Sequence, residues 1–366
     1  MKENCSIIEL FFHLIKCGMG KENALPYTPA EDEWELLFEI AQKQTLAGIA
    51  FAGIERLPQE QRPPKGVLLQ WYKMGTLIKS KNAELDKKCA IVSAKFKSEG
   101  FNNCILKGQG IAQLYPDPTL RTPGDIDIWL DGGDTRAIGY VKQFFPGCEP
   151  TYHHVDFPIA PGLDIEVHYR PTWLYNPITN KRLQRYFETV AQEQFGNGTT
   201  TANGSFPSPT PAFNRIYILL HIYRHLFAEG IGMRQMLDYY FVLQQGMSPE
   251  EEREYIEQLK KFGLKKIAGA TTYAMQKMFG LDSEHTLVEP NARLGEFLIR
   301  EIMIAGNFGK YDNRYDFGQH GFKKIVEIMR RNMTLLTRFP WETLWSPCFK
   351  IWHYFWRKKH KNQEAV

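Results

Sequence analysis

The segment Arg121-Thr122-Pro123-Gly124-Asp125-Ile126-Asp127-Ile128-Trp129-Leu130 carries two carboxylates, two residues apart, in an otherwise apolar run. A second acid-bearing run, Leu163-Asp164-Ile165-Glu166-Val167-His168, follows later in the chain. Residues i and i+2 of a β-strand lie on the same face, so the acids within each run point the same way. Two such strands side by side form a compact negative cluster that needs cations. Mg²⁺ prefers oxygen ligands, and carboxylate-held metal pairs commonly serve phosphoryl or nucleotidyl transfer.

Three of these acids are the candidate catalytic and metal-ligating residues, namely Asp125, Asp127 and Glu166. The apolar residues around Asp125 and Asp127 indicate a largely buried strand, and buried carboxylates need partners. One alternative is an acid pair satisfied by Arg121 and backbone amides. For Glu166 the alternative is a strand residue that faces solvent, and Asp164 competes with it for the third position.

The turn Lys107-Gly108-Gln109-Gly110 follows a predicted strand at 103–106 and opens a short helix. Free backbone N–H groups at a helix N-terminus favour phosphate, and Lys107 adds a positive charge. The spacing matches neither the Walker loop nor the dinucleotide fingerprint. The candidate nucleotide-binding residues are Lys107, Gly108, Gln109, Gly110, Arg121 and Gly124.

The pattern of elements predicts an α+β protein in which a small mixed β-sheet unit is flanked by N- and C-terminal helical regions. Residues 1–96 have helical periodicity, and 97–195 carry the strands and both acid runs. Residues 196–211 are rich in Gly, Ser, Thr, Asn and Pro, which predicts an exposed loop or linker. Residues 212–320 are helical again, and 321–366 form a basic, aromatic tail.

Composition and charge give the broad class. The 366 residues are 43% hydrophobic with a net charge of +4, which indicates a packed core and does not by itself imply nucleic acid. The six scattered cysteines form no CxxC pair, so we interpret them as free buried thiols in a reducing compartment. We see neither a secretory signal nor an apolar run long enough to span a membrane, and therefore expect a cytoplasmic location.

Other polar groups have simpler interpretations. His221 and His225 share one helical face, but the Glu of the HExxH motif is missing, so structural histidines are favoured. Arg234 and Asp238 are four residues apart, which is typical of a helix-surface ion pair. We assign His153 and His154 no role.

The tail carries +7, from ten Lys and Arg against three Asp and Glu between residues 321 and 366. It interleaves basic residues with Trp341, Trp345, Trp352 and Trp356. We favour a final helix that packs its aromatic residues on the body and leaves a solvated charged end. Association with an anionic membrane surface or RNA remains the alternative.

Together these features resemble the polymerase-β-type nucleotidyltransferase superfamily, and more narrowly an uncharacterised bacterial nucleotidyltransferase family. The resemblance rests on a strand, a Gly turn and helix, an Asp-x-Asp strand and a later strand with an acid. The motifs that carry it are Ile105-Leu-Lys-Gly-Gln-Gly110, Leu114-Tyr-Pro116, Arg121-x-x-Gly-Asp-Ile-Asp127, Ile165-Glu-Val-His168, Leu220-His-Ile-Tyr-Arg-His225 and Arg234-x-x-x-Asp238.

The resemblance implies that Asp125, Asp127 and Glu166 hold two Mg²⁺ ions, and that an NTP is the donor. Transfer of a nucleoside monophosphate to an unidentified hydroxyl, on a small molecule or a protein, would release pyrophosphate. A tRNA acceptor is less favoured because the net charge is modest. The superfamily usually has Gly-Ser or Gly-Gly in its first turn, whereas Gly108 is followed by Gln109. That departure supports an alternative, a non-catalytic descendant that binds a nucleotide or a partner protein.

Overall fold

The N-terminal part of the chain is helical, as the sequence predicts. The computed structural model describes residues 5–160, 162–315 and 322–361. Helices α1 (Ile7–Gly18), α2 (Glu31–Lys43), α3 (Ala47–Arg56) and the long α4 (Lys65–Ser98) come first. Helix α1 begins with a capping box in which Ser6 accepts from the Glu9 amide and the Glu9 carboxylate accepts from the Ser6 amide. Pro63 and Pro64 immediately precede α4, with Pro64 as its N-cap residue.

The sheet unit follows α4. Its elements are β1 (Asn103–Leu106), α5 (Gly108–Ala112), β2 (Ile126–Leu130), α6 (Gly133–Phe144), β3 (His154–Asp156) and β4 (Ile165–His168). The strand order is β1-β2-β4-β3. Strands β2 and β4 are parallel, and the other two pairs are antiparallel. The sheet is therefore small and mixed, and helices precede and follow it along the chain. This arrangement confirms the predicted fold class.

Each face of the sheet packs against a different helical layer. Ile126, Ile128 and Val167 point to one face, where they join a core with α4 and α6. Trp129 points to the opposite face and packs against Phe187 and Phe213 in the helices that follow. Alternation along β2 thus buries Ile126 and Ile128 on one side and leaves Asp127 with Trp129 on the other.

Residues 196–211 are not a plain exposed loop or linker. Helix α7 (Pro177–Gly196) leads directly into a hairpin of β5 (Gly198–Thr201) and β6 (Gly204–Pro207). Phe206 is buried in the same core as Ile128, and the hairpin packs against α4. One buried aromatic residue therefore fixes a segment whose composition is otherwise typical of a loop.

The rest of the described chain is helical. It comprises α8 (Pro211–Ala228), α9 (Met233–Leu243), α10 (Pro249–Phe262), α11 (Lys265–Phe279), α12 (Ala292–Ala305), α13 (Phe322–Met333) and α14 (Pro340–Lys361). Helix α8 is buried on nearly all sides. Helices α9, α10 and α11 contact it, and α7 contacts α10. Residues 321 and 362–366 of the predicted tail lie outside the described residues, as do 1–4, 161 and 316–320.

The tail prediction is only partly right. Phe349 packs against Tyr152 and Tyr175, and Trp356 packs against the core. Trp341, however, is 69% exposed, and Trp352 is 46% exposed. None of the described helices has the length and apolar character that a membrane-spanning helix requires.

The six cysteines are free thiols. Cys17, Cys89 and Cys104 are buried, as the sequence predicts for free thiols. Cys348 is exposed, so the expectation of burial is wrong there. It lies on α14, whose outer face is open to solvent.

Candidate active site

The two acid-bearing strands are neighbours, and their register brings the carboxylates together. Asp127 of β2 lies opposite Glu166 of β4 in the parallel pair, and Asp125 immediately precedes β2. One oxygen from each of the three carboxylates lies within 4.8 Å of the others. Asp164 is exposed at the start of β4 and does not join this set. Of the two competing acids, Glu166 is the one beside Asp127.

Lys107 provides a positive charge beside these acids. Its Nζ lies 2.9 Å from Asp127 Oδ2 and 3.7 Å from Asp125 Oδ2. Its backbone has a positive φ of 44°, which is a costly conformation for a residue with a Cβ. Burial alone would lower the pKa of Lys107, but Asp125 and Asp127 outweigh burial and raise it. The turn after β1 thus directs a permanent cation at the acid pair.

Histidines from β3 and β4 surround Glu166. His168 Nε2 lies 2.9 Å from Asp127 Oδ1 and 3.2 Å from Glu166 Oε2, and His154 Nδ1 lies 3.0 Å from Glu166 Oε2. Burial would raise the pKa of Glu166, but hydrogen bonds from His154 and His168 hold it well below its usual range. Burial would likewise lower the pKa of His168, yet its two carboxylate partners raise it to about 9. Glu166 is consequently ionised.

A histidine cluster that the sequence did not predict lies beside the acids. His153, His154 and His168 together with Glu166 form a second group whose potential ligand atoms lie within 4.8 Å of one another. The signal was available in part, because Glu166 and His168 are two residues apart on one strand. The approach of His154 depends on the antiparallel β3–β4 pairing, which local spacing does not reveal.

The carboxylate set fits a divalent cation. Asp127 Oδ2 is buried, and its partner among the described residues is the Lys107 ammonium at 2.9 Å. Octahedral Mg²⁺ holds oxygens at about 2.1 Å, so its ligands lie about 3–4 Å apart, a spacing that the three acids can adopt. The oxygen-only set suits Mg²⁺, whereas the set with three imidazoles suits a transition metal. Glu166 belongs to both.

An open cleft of about 740 Å³ lies in front of the acids. Asp125 and Glu166 line it together with two cations, Arg234 and Lys310. Arg234 is buried and donates from Nη1 to the Thr122 carbonyl at 3.1 Å, while its Nε has no hydrogen-bond partner among the described residues. The sequence suggested that Arg234 forms a helix-surface pair with Asp238, and that interpretation is wrong.

Asp238 instead pairs with Arg121. The guanidinium of Arg121 donates to both carboxylate oxygens at 2.7 and 2.8 Å, and both side chains are buried. Tyr115 also donates to Asp238, at 2.7 Å. Arg121 therefore neither satisfies the acid pair nor extends into the open cleft.

Two further candidates for nucleotide binding have structural contacts. The Gln109 side chain is buried and donates to Asp86 of α4. A Cβ at Gly110 would lie 3.1 Å from Ser208 Cβ, so Gly110 allows the hairpin exit to pack closely. Gly108 has a φ of 46°, and Gly124 lies beside Arg234 in the wall of the cleft. Lys107, Gly108, Arg121 and Gly124 line one small cavity together with Asp125 and Arg234.

The paired histidines of α8 are buried. Their rings are 4.3 Å apart between centroids, and burial lowers the pKa of His221 and brings that of His225 to about 4. Both are neutral near pH 7, which agrees with the interpretation as structural histidines. Arg224 of the same helix stacks on Trp173, with its guanidinium carbon 4.5 Å from the ring centroid.

A mixed sheet with carboxylates on adjacent parallel strands, beside an open cleft that also contains Arg234 and Lys310, is the arrangement expected of a nucleotidyltransferase. The chain belongs to the family described as uncharacterised nucleotidyltransferase, whose model matches residues 30–280. It is also similar to a nucleotidyltransferase-like antigenic protein of known structure from Paracoccidioides brasiliensis. That likeness has 15% identity and a TM-score of 0.31, and covers 58% of this chain and 97% of the other. No curated protein gives a significant match.

Proposed function

We propose that this protein is a Mg²⁺-dependent enzyme that transfers a nucleoside monophosphate from an NTP to a hydroxyl acceptor. The observation that carries this proposal is the convergence of Asp125, Asp127 and Glu166 at the edge of a cleft that also contains Arg234 and Lys310. Carboxylates hold the divalent cations that an NTP needs, and the nearby cations match the negative charge of a triphosphate. Family membership supports the same reaction class.

Each side chain then has a definite task. Asp125, Asp127 and Glu166 would hold Mg²⁺, which when bound screens phosphate charge and favours ionisation of a hydroxyl. Arg234 and Lys310 would orient the triphosphate. His154 and His168 fix the Glu166 carboxylate through hydrogen bonds of 3.0 and 3.2 Å. Asp127, Glu166 and the two histidines lie on strands and Arg234 on a buried helix, so this part of the site is preorganised.

In the proposed reaction, the acceptor oxygen forms a bond to the α-phosphorus while the bond from that phosphorus to the α,β-bridging oxygen breaks. The leaving group is pyrophosphate, which takes the electron pair of the broken bond. The acceptor proton passes to a carboxylate of the same cluster, Asp127 or Glu166. Small hydroxylated molecules and protein side chains are the acceptor classes that we favour.

The test is calorimetric titration with non-hydrolysable α,β-methylene analogues of the four NTPs in Mg²⁺. We expect at least one analogue to bind only when Mg²⁺ is present, and Asp125→Asn to weaken that binding at least about tenfold, through loss of a charged ligand. The matched control is Asp164→Asn, because Asp164 lines the same cleft and is exposed. It lies outside the carboxylate set and should leave affinity unchanged.

Two outcomes would contradict the proposal. One is the absence of Mg²⁺-dependent binding by the wild type, and the other is an equal loss of affinity in both variants. Nucleotide binding that does not require Mg²⁺ and is unaffected by Asp125→Asn would instead support the non-catalytic descendant. Repeating the titrations with Mn²⁺ and Zn²⁺ would show whether the imidazole set is the one that takes a metal.

A further inference from the structure

Helix α14 has two faces with different surroundings. Its inner face is held by the body, because Phe349 stacks on Trp173 at 5.9 Å between ring centroids and contacts Tyr152 at 5.5 Å. Glu342 on the same face accepts the backbone N–H of Tyr175 at 2.7 Å. The outer face is open and consists of Trp341, Leu344, Trp345, Cys348, Ile351, Trp352, Tyr354 and Phe355.

The outer face is apolar over four turns. Trp341 is 69% exposed, and Ile351 and Phe355 are each 63% exposed. The side chains follow helical spacing, so they form one stripe and not scattered contacts. Leu344 is 58% exposed as well, whereas Trp352 also contacts Tyr152 at 5.3 Å between ring centroids, so the body covers only part of this stripe. A continuous exposed apolar surface of this kind marks an interaction site.

Charge on α14 is arranged around this stripe. Its single acidic residue, Glu342, is buried against the body, so no carboxylate of the helix faces outward. Arg357, Lys358 and Lys359 follow the stripe and are exposed. At 100° per residue, Lys359 lies on the same side as Trp341 and Trp352. The open face is thus aromatic and aliphatic along its length and cationic at one end.

We propose that the outer face of α14 docks on an anionic lipid bilayer, with the helix lying in the plane of the interface. Trp and Tyr favour the headgroup region, and Leu344 and Ile351 would reach the acyl boundary. Lys and Arg beside the stripe complement anionic headgroups, and no outward acid of the helix opposes them. The bases of a single-stranded nucleic acid would stack on the aromatic rings, but they would leave the aliphatic side chains without an apolar partner. A bilayer therefore fits the whole face better.

This inference does not depend on the proposed catalytic function. It agrees with the finding on membrane-spanning helices, since an interfacial helix needs one apolar face and not an apolar circumference. The inner face of α14 holds it on the protein, so docking would require no unfolding.

The experiment is co-sedimentation of the full chain with phosphatidylcholine vesicles and with vesicles containing about a third phosphatidylglycerol, an anionic fraction large enough to attract basic residues. The test variant is Trp341→Ser/Ile351→Ser/Phe355→Ser, whose three sites are exposed. Its matched control is Tyr72→Ser/Ile91→Ser/Ile178→Ser, at sites that are 59, 67 and 62% exposed on other helices.

We expect the wild type and the control to bind the anionic vesicles equally, and the α14 variant to bind at least about tenfold less, since apolar burial drives insertion. Lys358→Gln/Lys359→Gln should weaken binding to anionic vesicles more than to neutral ones. The proposal is overturned if the wild type does not bind anionic vesicles, or if the test variant and its control bind these vesicles equally well.

Two other occupants are distinguished by the same variants. One outcome is that the wild type does not bind vesicles and is dimeric by light scattering, whereas the α14 variant is monomeric. That result would show a contact between two copies of the chain. Binding to oligouridylate that the α14 variant loses, without vesicle binding, would show a nucleic-acid face. Either result would replace the membrane proposal.

Discussion

At the scale of single residues, Lys107 determines how the acid cluster is balanced. The ion pair with Asp127 at 2.9 Å joins two nearly buried groups, and the positive φ of Lys107 is kept at a cost of about 1–3 kcal/mol. A residue without a charge at this position would leave the acids dependent on His168 and on a bound cation. Lys107 therefore links the stability of the protein to occupation of the proposed metal site.

We predict that Lys107→Met lowers the free energy of unfolding by about 2–3 kcal/mol without Mg²⁺, because it leaves a buried carboxylate short of one cation. Added Mg²⁺ should then stabilise the variant more than the wild type, through binding to the native state. Denaturant unfolding with and without Mg²⁺ measures both effects. Lys79→Met is the control, since Lys79 pairs with Asp117 at an exposed position. Equal responses to Mg²⁺ in wild type and Lys107→Met would contradict the prediction.

The sequence was informative about single residues where the signal is local. The spacing of Asp125 and Asp127 identifies a same-face pair, and the register of β4 places the third predicted acid, Glu166, opposite Asp127. The partner of Arg121 was not predictable in this way, because Asp238 lies 117 residues away. The i,i+4 pattern in α9 suggested a contact between Arg234 and Asp238. Asp238 instead forms a buried bidentate pair with Arg121.

At the scale of elements, the strands and most helices follow from alternation and helical periodicity. The hairpin at 198–207 did not, because its Gly, Thr and Ser content is also typical of loops. Asn203-Gly204 was a usable turn signal, and β-branched threonines precede it. Pairing of such polar strands depends on the packing of Phe206 on the core, which is a tertiary contact.

Helix α14 gives an element-scale prediction about pH. Burial raises the pKa of Glu342 to about 7, although the backbone N–H groups of Tyr175 and Asn176 oppose this. Because the folded-state pKa lies above the ordinary value of 4.5, the native state binds more protons between these values, and stability falls as pH rises through that window. Above about pH 7 the full cost, about 3 kcal/mol, persists.

We predict that Glu342→Gln flattens this dependence, so that the variant gains about 3 kcal/mol relative to wild type between pH 4.5 and 8. Nearby Tyr175 does not confound the window, because burial raises its pKa to about 12. Urea unfolding at several pH values gives the difference directly. Glu39→Gln is the control, since Glu39 has a side chain that is 60% exposed. If the free energy of unfolding differs between Glu342→Gln and wild type by the same amount at every pH, Glu342 is not the source of the pH dependence.

At the scale of the whole molecule, α9 ties the sheet unit to the helical half. Asp238 holds Arg121 through two hydrogen bonds, and Arg234 donates to the Thr122 carbonyl. The backbone carbonyl of Arg121 also accepts from Asn82 of α4 at 2.7 Å. The loop that carries Asp125 into β2 is therefore held from both sides, so the position of a metal ligand depends on contacts between distant parts of the chain.

We predict that Asp238→Asn destabilises the protein by about 3–5 kcal/mol, because it leaves the Arg121 charge buried without its counter-charge. Arg121→Met/Asp238→Asn should recover most of that loss, since removing both charges removes the desolvation cost as well. Because the same pair positions the loop before Asp125, Asp238→Asn should also weaken Mg²⁺-dependent binding of the NTP analogue. Unfolding of the wild type and the two variants, with calorimetry on those that fold, would measure these effects. A loss below about 1 kcal/mol, the range of exposed ion pairs, would mean that the pair does not join the two halves.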